Sequence, residues 1–367
     1  MSAHPRVICT VTNDLSYDQR MHRIASTLVE SGWEVWLVGR YRPQSIPLPE
    51  RPFHQIRLRC WMHKGFLFYA EFNLRLFFFL LKTPFQVVNT VDLDTMPAGA
   101  LAGYLKGAKG VFDAHEYFTE VPEVVHRPFV RGFWRWVEHL FIPFYEKAYT
   151  VGPALAQLFT EQHGLPFEVI RNVPRSLPRP EPRPDSGTRR LFYQGALNEG
   201  RGLEAMVDTM AWLPGNFQLV LAGEGDLSVA LRERARPYGE RIHFLGFVEP
   251  EALKSLTSEA WLGINLLENK GLSYYYSLAN KFFDTVQARI PLLTMDFPEY
   301  RALCNQYPVA ILVQQLNPEQ LAKELLALDQ DPGRYLSMVE ACEAASIEWN
   351  WEIESKKLVN IWQNRKK

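Results

Sequence analysis

Short, unbroken apolar runs alternate along the chain with longer stretches whose apolar residues recur every three or four positions. The runs at 7–12, 34–39, 86–90, 110–113 and 148–151 read as buried strands. Between the first two, residues 19–31 form an amphipathic pattern closed by Gly32, which predicts a helix. Strands without polar alternation are those covered on both faces, so the strand–helix–strand rhythm predicts a parallel α/β sheet. Residues 175–188 interrupt it with Pro178, Pro180, Pro182 and Pro184 at alternate positions and almost nothing apolar, the composition of an extended linker. The rhythm then restarts, with strands expected at 190–194, 218–222, 241–244, 262–265 and 291–294 and helices from about 202 and over 279–288. The expectation is two Rossmann-like, doubly wound halves of similar size facing each other across a cleft. Residues 349–367 predict a final helix with Trp351, Leu358, Ile361 and Trp362 on its buried face.

Residues 65–81 are the most apolar segment and long enough to span a bilayer, but Glu71 and Arg75 sit inside it at i,i+4 spacing. Two charges at mid-bilayer depth are costly, so the segment reads as a buried helix with one polar stripe. The chain runs straight into its first strand, and a soluble protein is expected, with peripheral membrane contact left open. Hydrophobic residues make up 47% and charged residues 22%, which excludes a disordered chain. Forty basic residues against forty-one acidic leave a net charge of −1, without the basic excess of a nucleic-acid binder. The four cysteines (Cys9, Cys60, Cys304 and Cys342) are scattered with no CxxC pair, which argues against a disulfide framework or structural zinc and for a cytoplasmic setting.

Candidate chemistry clusters where strands give way to helices, the ligand-binding edge of open α/β sheets. The first such turn, residues 13–20, has no glycine, so the GxGxxG phosphate turn of a nicotinamide or flavin domain is absent. It offers Asp14, Asp18 and Arg20 as a polar rim for hydroxyls or an anion; equally, Asp18 caps the helix and Arg20 makes a surface ion pair. Asp92 and Asp94 form a DxD, a weak metal–diphosphate signal, and Asp94 could instead cap the next helix. Asp113, His115 and Glu116 lie where a strand ends, where a histidine can donate to a sugar hydroxyl or stay a satisfied rim residue. Gly195, Gly200 and Gly202 let a backbone approach a ligand, with Arg201 just before a helix. Gly223 and Gly225 form a second, weaker turn of the same kind. Lys281 and Asp284 share a helix face if the helix starts at Asn280; the pair suits phosphate and ribose, or a plain i,i+3 ion pair.

Taken together, these residues resemble the retaining GT-B glycosyltransferases of family 4. Tyr193 to Glu204 looks like that family's diphosphate-binding loop, and Ser277 to Asp284 is similar to its S-x-P-N-K-x-F-E segment. Asp113, His115 and Glu116 match a D-x-H-E turn, and Ile170 to Pro174 looks like the strand end before the linker. The resemblance covers essentially the whole chain in order. It implies an N-terminal acceptor-side domain over 1–175, joined by a returning helix over 346–367, and a donor domain over 188–345.

The resemblance implies a metal-independent hexosyltransferase of the kind used in polysaccharide biosynthesis. A nucleotide sugar would serve as donor substrate, with no cofactor, no metal and no nucleic-acid partner; the acceptor would be a glycan, a lipid-linked sugar or a small molecule. The place implied is the cytoplasm, with the inner face of the cell membrane open. Carried over by position, Arg201 and Lys281 hold the diphosphate, Asp284 the ribose, and the amides of Ser277, Leu278 and Ala279 the phosphates, beside Gly195 and Asn280. His115 meets the transferred sugar, with Asp18, Arg20 and Glu116 on the acceptor side. Three positions depart from the pattern: Ala196 replaces an arginine, Tyr276 an acid and Ala279 a proline. Two rival readings remain. One is a catalytically weak or non-enzymatic GT-B protein that serves as an assembly or membrane-docking module through the basic-aromatic stretch at 127–136, a stretch that equally suits an enzyme with a lipid-linked acceptor or an ordinary helix with its tryptophans packed inward. The other is a non-hydrolysing sugar-nucleotide epimerase.

Overall fold

The computed structural model describes residues 4–178 and 187–363. The chain divides into two compact units, Met1–Arg171 with Glu354–Lys367, and Asn172–Ile353. In the first, β1 (Arg6–Thr10), β2 (Glu34–Tyr41), β3 (His54–Arg59), β4 (Val87–Val91), β5 (Lys109–Ala114), β6 (Lys147–Thr150) and β7 (Phe167–Val169) form a parallel sheet in the order β3-β2-β1-β4-β5-β6-β7. In the second, β8 (Arg189–Gln194), β9 (Phe217–Ala222), β10 (Ile242–Gly246), β11 (Leu262–Asn265), β12 (Leu292–Met295) and β13 (Ala310–Val313) are ordered β10-β9-β8-β11-β12-β13. Each sheet reverses direction beside its first strand, at β1/β4 and at β8/β11, which opens a crevice at the strand ends.

The strands expected from the sequence are inner strands, apart from β10, which lies at an edge. Every residue of β4, of β11 and of β12 is buried. Strands β3, β7 and β13 were not expected, and all three lie at sheet edges. Strand β3 shows why: His54–Arg59 has only half-buried or exposed positions, so its sequence stays polar and carries no run.

The unit boundaries fall earlier and later than the sequence placed them. After Arg171 the chain joins the second unit: Trp351 donates its amide to the Pro174 carbonyl (2.8 Å), Ser176 to Glu352 (3.0 Å) and Leu177 to the Gln287 side chain (3.2 Å). Most of the proline run, residues 179–186, lies outside the described residues. The last helix, Trp351–Gln363, starts in the second unit and continues in the first, where Trp362 meets Trp33 edge-on at 5.6 Å. Trp351, Leu358 and Trp362 are buried as expected, and Ile361 is half-buried.

The apolar segment forms the helix Gly65–Lys82, but not as a buried helix with one polar stripe. Only Phe68, Phe72, Leu76 and Leu80 reach the core, while Phe66, Leu67, Leu74 and Phe78 are exposed. Glu71 and Arg75 bind each other at 2.7 Å along its flank. Among the described residues, no helix is long and apolar enough to cross a membrane.

Candidate functional site

The first unit gathers charge at the ends of β4 and β5. Asp113, on β5, is fully buried; one carboxylate oxygen accepts from Arg20 at 2.8 Å and the other meets His115 Nε2 at 3.0 Å. Arg20, 3% exposed, also donates to the Ile170 carbonyl at 2.9 Å. Just past β4, Asp92 adopts φ 53°, a left-handed conformation that aspartate tolerates better than most residues. There it accepts the His115 amide at 2.8 Å, and its other oxygen lies 4.0 Å from His115 Nδ1. His115 is therefore oriented from both sides, and with 22% of its side chain exposed it is the member of the pair with access.

Burial opposes charge on Asp113, but Arg20 and then His115 outweigh it and hold the carboxyl below its ordinary range. Burial likewise opposes charge on His115; Asp113 prevails and raises its pKa. Burial pushes Asp92 up to about 8 and Asp94 up to about 6. The cluster brings cations and anions together in near balance.

Several expectations change here. Arg20 is not a rim group or a surface ion pair; its position on the helix Gln19–Glu30 aims it inward at Asp113, where it positions the carboxylate. Asp18 caps that helix, accepting the Met21 amide at 3.0 Å, and its second oxygen takes the Asn13 side chain. Asp94, by contrast, is not a cap: the N-cap of the helix Met96–Lys106 is Thr95, and Asp94 accepts from the Thr12 hydroxyl. Glu116 is exposed beside the cluster and raises both Asp92 and Asp94.

The second unit is built differently. The loop after β8 begins at Gly195, with φ 132°. Gly223 lies against it so closely that a Cβ there would fall 1.9 Å from the Gly195 carbonyl oxygen. The second glycine turn thus supports the first. Gly200 and Gly202 are required by the protein's own packing, on Tyr274 and Leu266.

The Lys281 ammonium sits 3.7 Å over the Tyr193 ring, and a Cβ on Gly195 would lie 3.4 Å from it. Arg201 lies over Tyr274 at 5.0 Å, and its Nε is buried with no hydrogen-bond partner among the described residues. Neither cation forms an ion pair among the described residues, so the i,i+3 pair with Asp284 does not form. Burial, then repulsion from Arg201, drives the Lys281 pKa well below its ordinary value. Asp284 instead accepts from the Gln194 side chain at 3.1 Å.

Three amides were expected to face phosphate. Ser277 donates to the Tyr274 carbonyl (3.2 Å) and Ala279 to the Tyr300 hydroxyl (3.0 Å). The amides of Leu278, of Asn280 and Lys281 at the start of the helix Asn280–Gln287, and of Ala196 have no acceptor among the described residues. Free N–H groups at a helix start beside two unpaired cations are the chemistry that suits an anion. Sequence reasoning missed Tyr193 and Tyr274, which carry the cations, whereas a flanking carboxylate fixing the His115 tautomer was expected and is Asp113; an aromatic two residues before the loop glycine was the available signal for Tyr193.

Residues 19–177 match a domain described as Glycosyltransferase Family 4, and residues 188–331 one described as Glycosyl transferases group 1. No curated protein matches the chain significantly. Among solved structures, sucrose-phosphate synthase from Thermosynechococcus elongatus is similar over 98% of this chain and 98% of its own, at 15% identity and a TM-score of 0.78. HepE from Anabaena, in complex with UDP and glucose, is similar over 99% and 100%, at 11% identity and 0.76. WaaG, a glycosyltransferase involved in lipopolysaccharide biosynthesis, is similar over 98% and 100%, at 17% identity and 0.71. The structures establish the fold and the domain matches the class: the chain is a glycosyltransferase of the GT-B fold. More particularly, its first unit carries the family 4 domain and its second the group 1 domain.

Proposed function

We propose that the chain is a retaining hexosyltransferase that uses a nucleoside-diphosphate sugar, and that the second unit binds the donor's diphosphate without a metal. The observation that carries this is the pair Lys281 and Arg201, two cations without a carboxylate partner, beside the exposed Gly195–Ala196 turn and the open amides of Leu278, Asn280 and Lys281. Leaving two cations together is unfavourable without an anion, and a diphosphate supplies one. HepE with UDP-glucose and the trehalose-6-phosphate protein of E. coli with UDP-2-fluoro glucose support a nucleotide donor.

In the reaction the bond from the anomeric carbon to the diphosphate oxygen breaks, and negative charge grows on the departing diphosphate. Lys281 and Arg201 stabilise that charge where a metal ion would otherwise do so. For retention, the acceptor oxygen bonds on the face the diphosphate leaves, and its proton passes to the leaving phosphate oxygen. His115, oriented by Asp113 and Asp92, donates to sugar hydroxyls, with Glu116 on the acceptor side. Asp284, steadied by Gln194, takes the ribose. Tyr276, at the position where relatives carry an acid, leaves sugar recognition to other groups.

The test is thermal unfolding with UDP, GDP or ADP in the presence of chelator. One of them should raise the melting temperature; at a hundredfold excess over Kd the stabilisation is about 2.7 kcal/mol. A rise seen only with added metal overturns metal independence, and no rise with any of the three removes the donor site.

A further inference from the structure

Three helices of the first unit, Gly65–Lys82, Met96–Lys106 and Pro128–Phe141, each bury one apolar stripe and leave another outside. On the last, Trp134, Val137 and Phe141 face the core, while Phe129 (93% exposed), Phe133, Trp136 (58%) and Leu140 follow one another at helical spacing on the outside. On the first, Leu67, Leu74 and Phe78 do the same, and Tyr104 and Leu105 extend the face from the helix between. The stripes are continuous: Phe66 meets Phe133 edge-on at 5.5 Å, and Tyr104 meets Phe144 at 5.6 Å. An apolar surface of this extent marks an interaction site.

Charge identifies what covers it. Over 61–82, 96–106 and 118–144, seven lysines and arginines stand with four carboxylates, and of those four only Glu123 is exposed, whereas Lys64, Lys82, Arg127 and Arg135 all are. A cationic fringe round an aromatic face, in a chain of net charge −1, complements a surface that is apolar within and anionic at its boundary. We propose that this face docks on an anionic lipid bilayer, with its aromatic rings at the headgroup boundary and its cations against lipid phosphates. Trp61, 85% exposed, is held ready for that boundary: Arg75 lies over its ring at 4.7 Å, and Glu71 accepts its amide at 3.0 Å.

The docking face is tied to the loop after His115. Buried Glu120 receives both Arg131 and Arg135, and Trp134 meets Phe118 edge-on at 5.0 Å. Resting on the proposed transferase activity, this makes a lipid-linked acceptor the one the first unit would serve.

The experiment is flotation of the full chain with vesicles of about three parts phosphatidylcholine to one part phosphatidylglycerol, and with phosphatidylcholine alone. The protein should float with the anionic vesicles and be released by salt. Phe129→Glu with Trp136→Glu should reduce flotation about tenfold or more, and Lys64→Glu with Arg127→Glu should reduce it as well. Both double variants change exposed positions, so melting temperature and nucleoside-diphosphate binding should stay those of the unaltered chain. Flotation unaffected by the aromatic changes overturns the proposal. So does a chain that does not float but elutes as a dimer which Phe129→Glu with Trp136→Glu splits, since the face would then bind a second copy. Diphosphate binding is read separately, so a chain that floats yet binds no nucleotide refutes the transferase reading and leaves the docking surface standing.

Discussion

The two strand-end clusters hold similar residue types in opposite electrostatic states. In the first unit, Arg20 pairs with Asp113, and His115 with Asp113 and Asp92, so each cation faces a carboxylate, and Arg20 is 3% exposed. In the second, Lys281 and Arg201 repel each other and rest on tyrosine rings, with no carboxylate partner among the described residues. A balanced cluster stabilises the fold and orients what it holds; an unbalanced one waits for a counter-ion from outside. The same substitution, cation to alanine, should therefore have opposite consequences in the two places.

The largest effect is expected from Arg20→Ala, which leaves Asp113 buried without its cation and should cost about 3–5 kcal/mol of stability by denaturant unfolding. Its pH dependence sharpens the contrast. Asp113 titrates below its ordinary range, so the stabilisation is complete above the carboxylate range and is lost as pH falls through the lowered value. The gap between unaltered chain and variant should narrow in acid. A variant as stable as the parent at neutral pH would break the comparison.

Lys281→Ala should do the reverse. Removing an uncompensated cation should leave the melting temperature unchanged or slightly higher, while turnover falls about a hundredfold or more, the scale seen when one group stabilising transition-state charge is removed. Nucleoside-diphosphate affinity should weaken with it. Loss of stability with normal turnover would make Lys281 a structural residue like Arg20.

Asp18→Ala should have the smallest effect. It removes the cap of the helix that carries Arg20, and unfolding should show a loss of about 1 kcal/mol with no change in diphosphate affinity. A marked fall in turnover toward an acceptor, without that stability loss, would return Asp18 to the acceptor side.

Much of the fold was legible because parallel strands buried on both faces read as near-continuous apolar runs, and β4, β11 and β12 come close to that, interrupted only by Asn89, Thr90, Asn265 and Thr294. The loop glycines and the Asn280–Asp284 segment were legible for the same kind of reason: backbone geometry and helix starts restrict residue choice locally. The edge strand β3 was not, since an edge needs no apolar run. Nor could the pattern tell which face of an apolar helix is inside. The segment at 65–81 is apolar nearly all round and the stretch at 127–136 mixes aromatics with three arginines, and packing alone put Trp134 inward and Trp136 outward.

Sequence by itself determined the two α/β repeats, their order and the residue types at each strand end, since each follows from local burial and turn chemistry. Only the tertiary structure decided which charges meet. Arg20 and Asp113 are 93 positions apart and join at 2.8 Å, while Lys281 and Asp284, three apart on one helix, turn to different partners. Ion pairs depend on distances through space that the folded chain sets, so neighbours in sequence can stay unpaired and distant residues can neutralise one another.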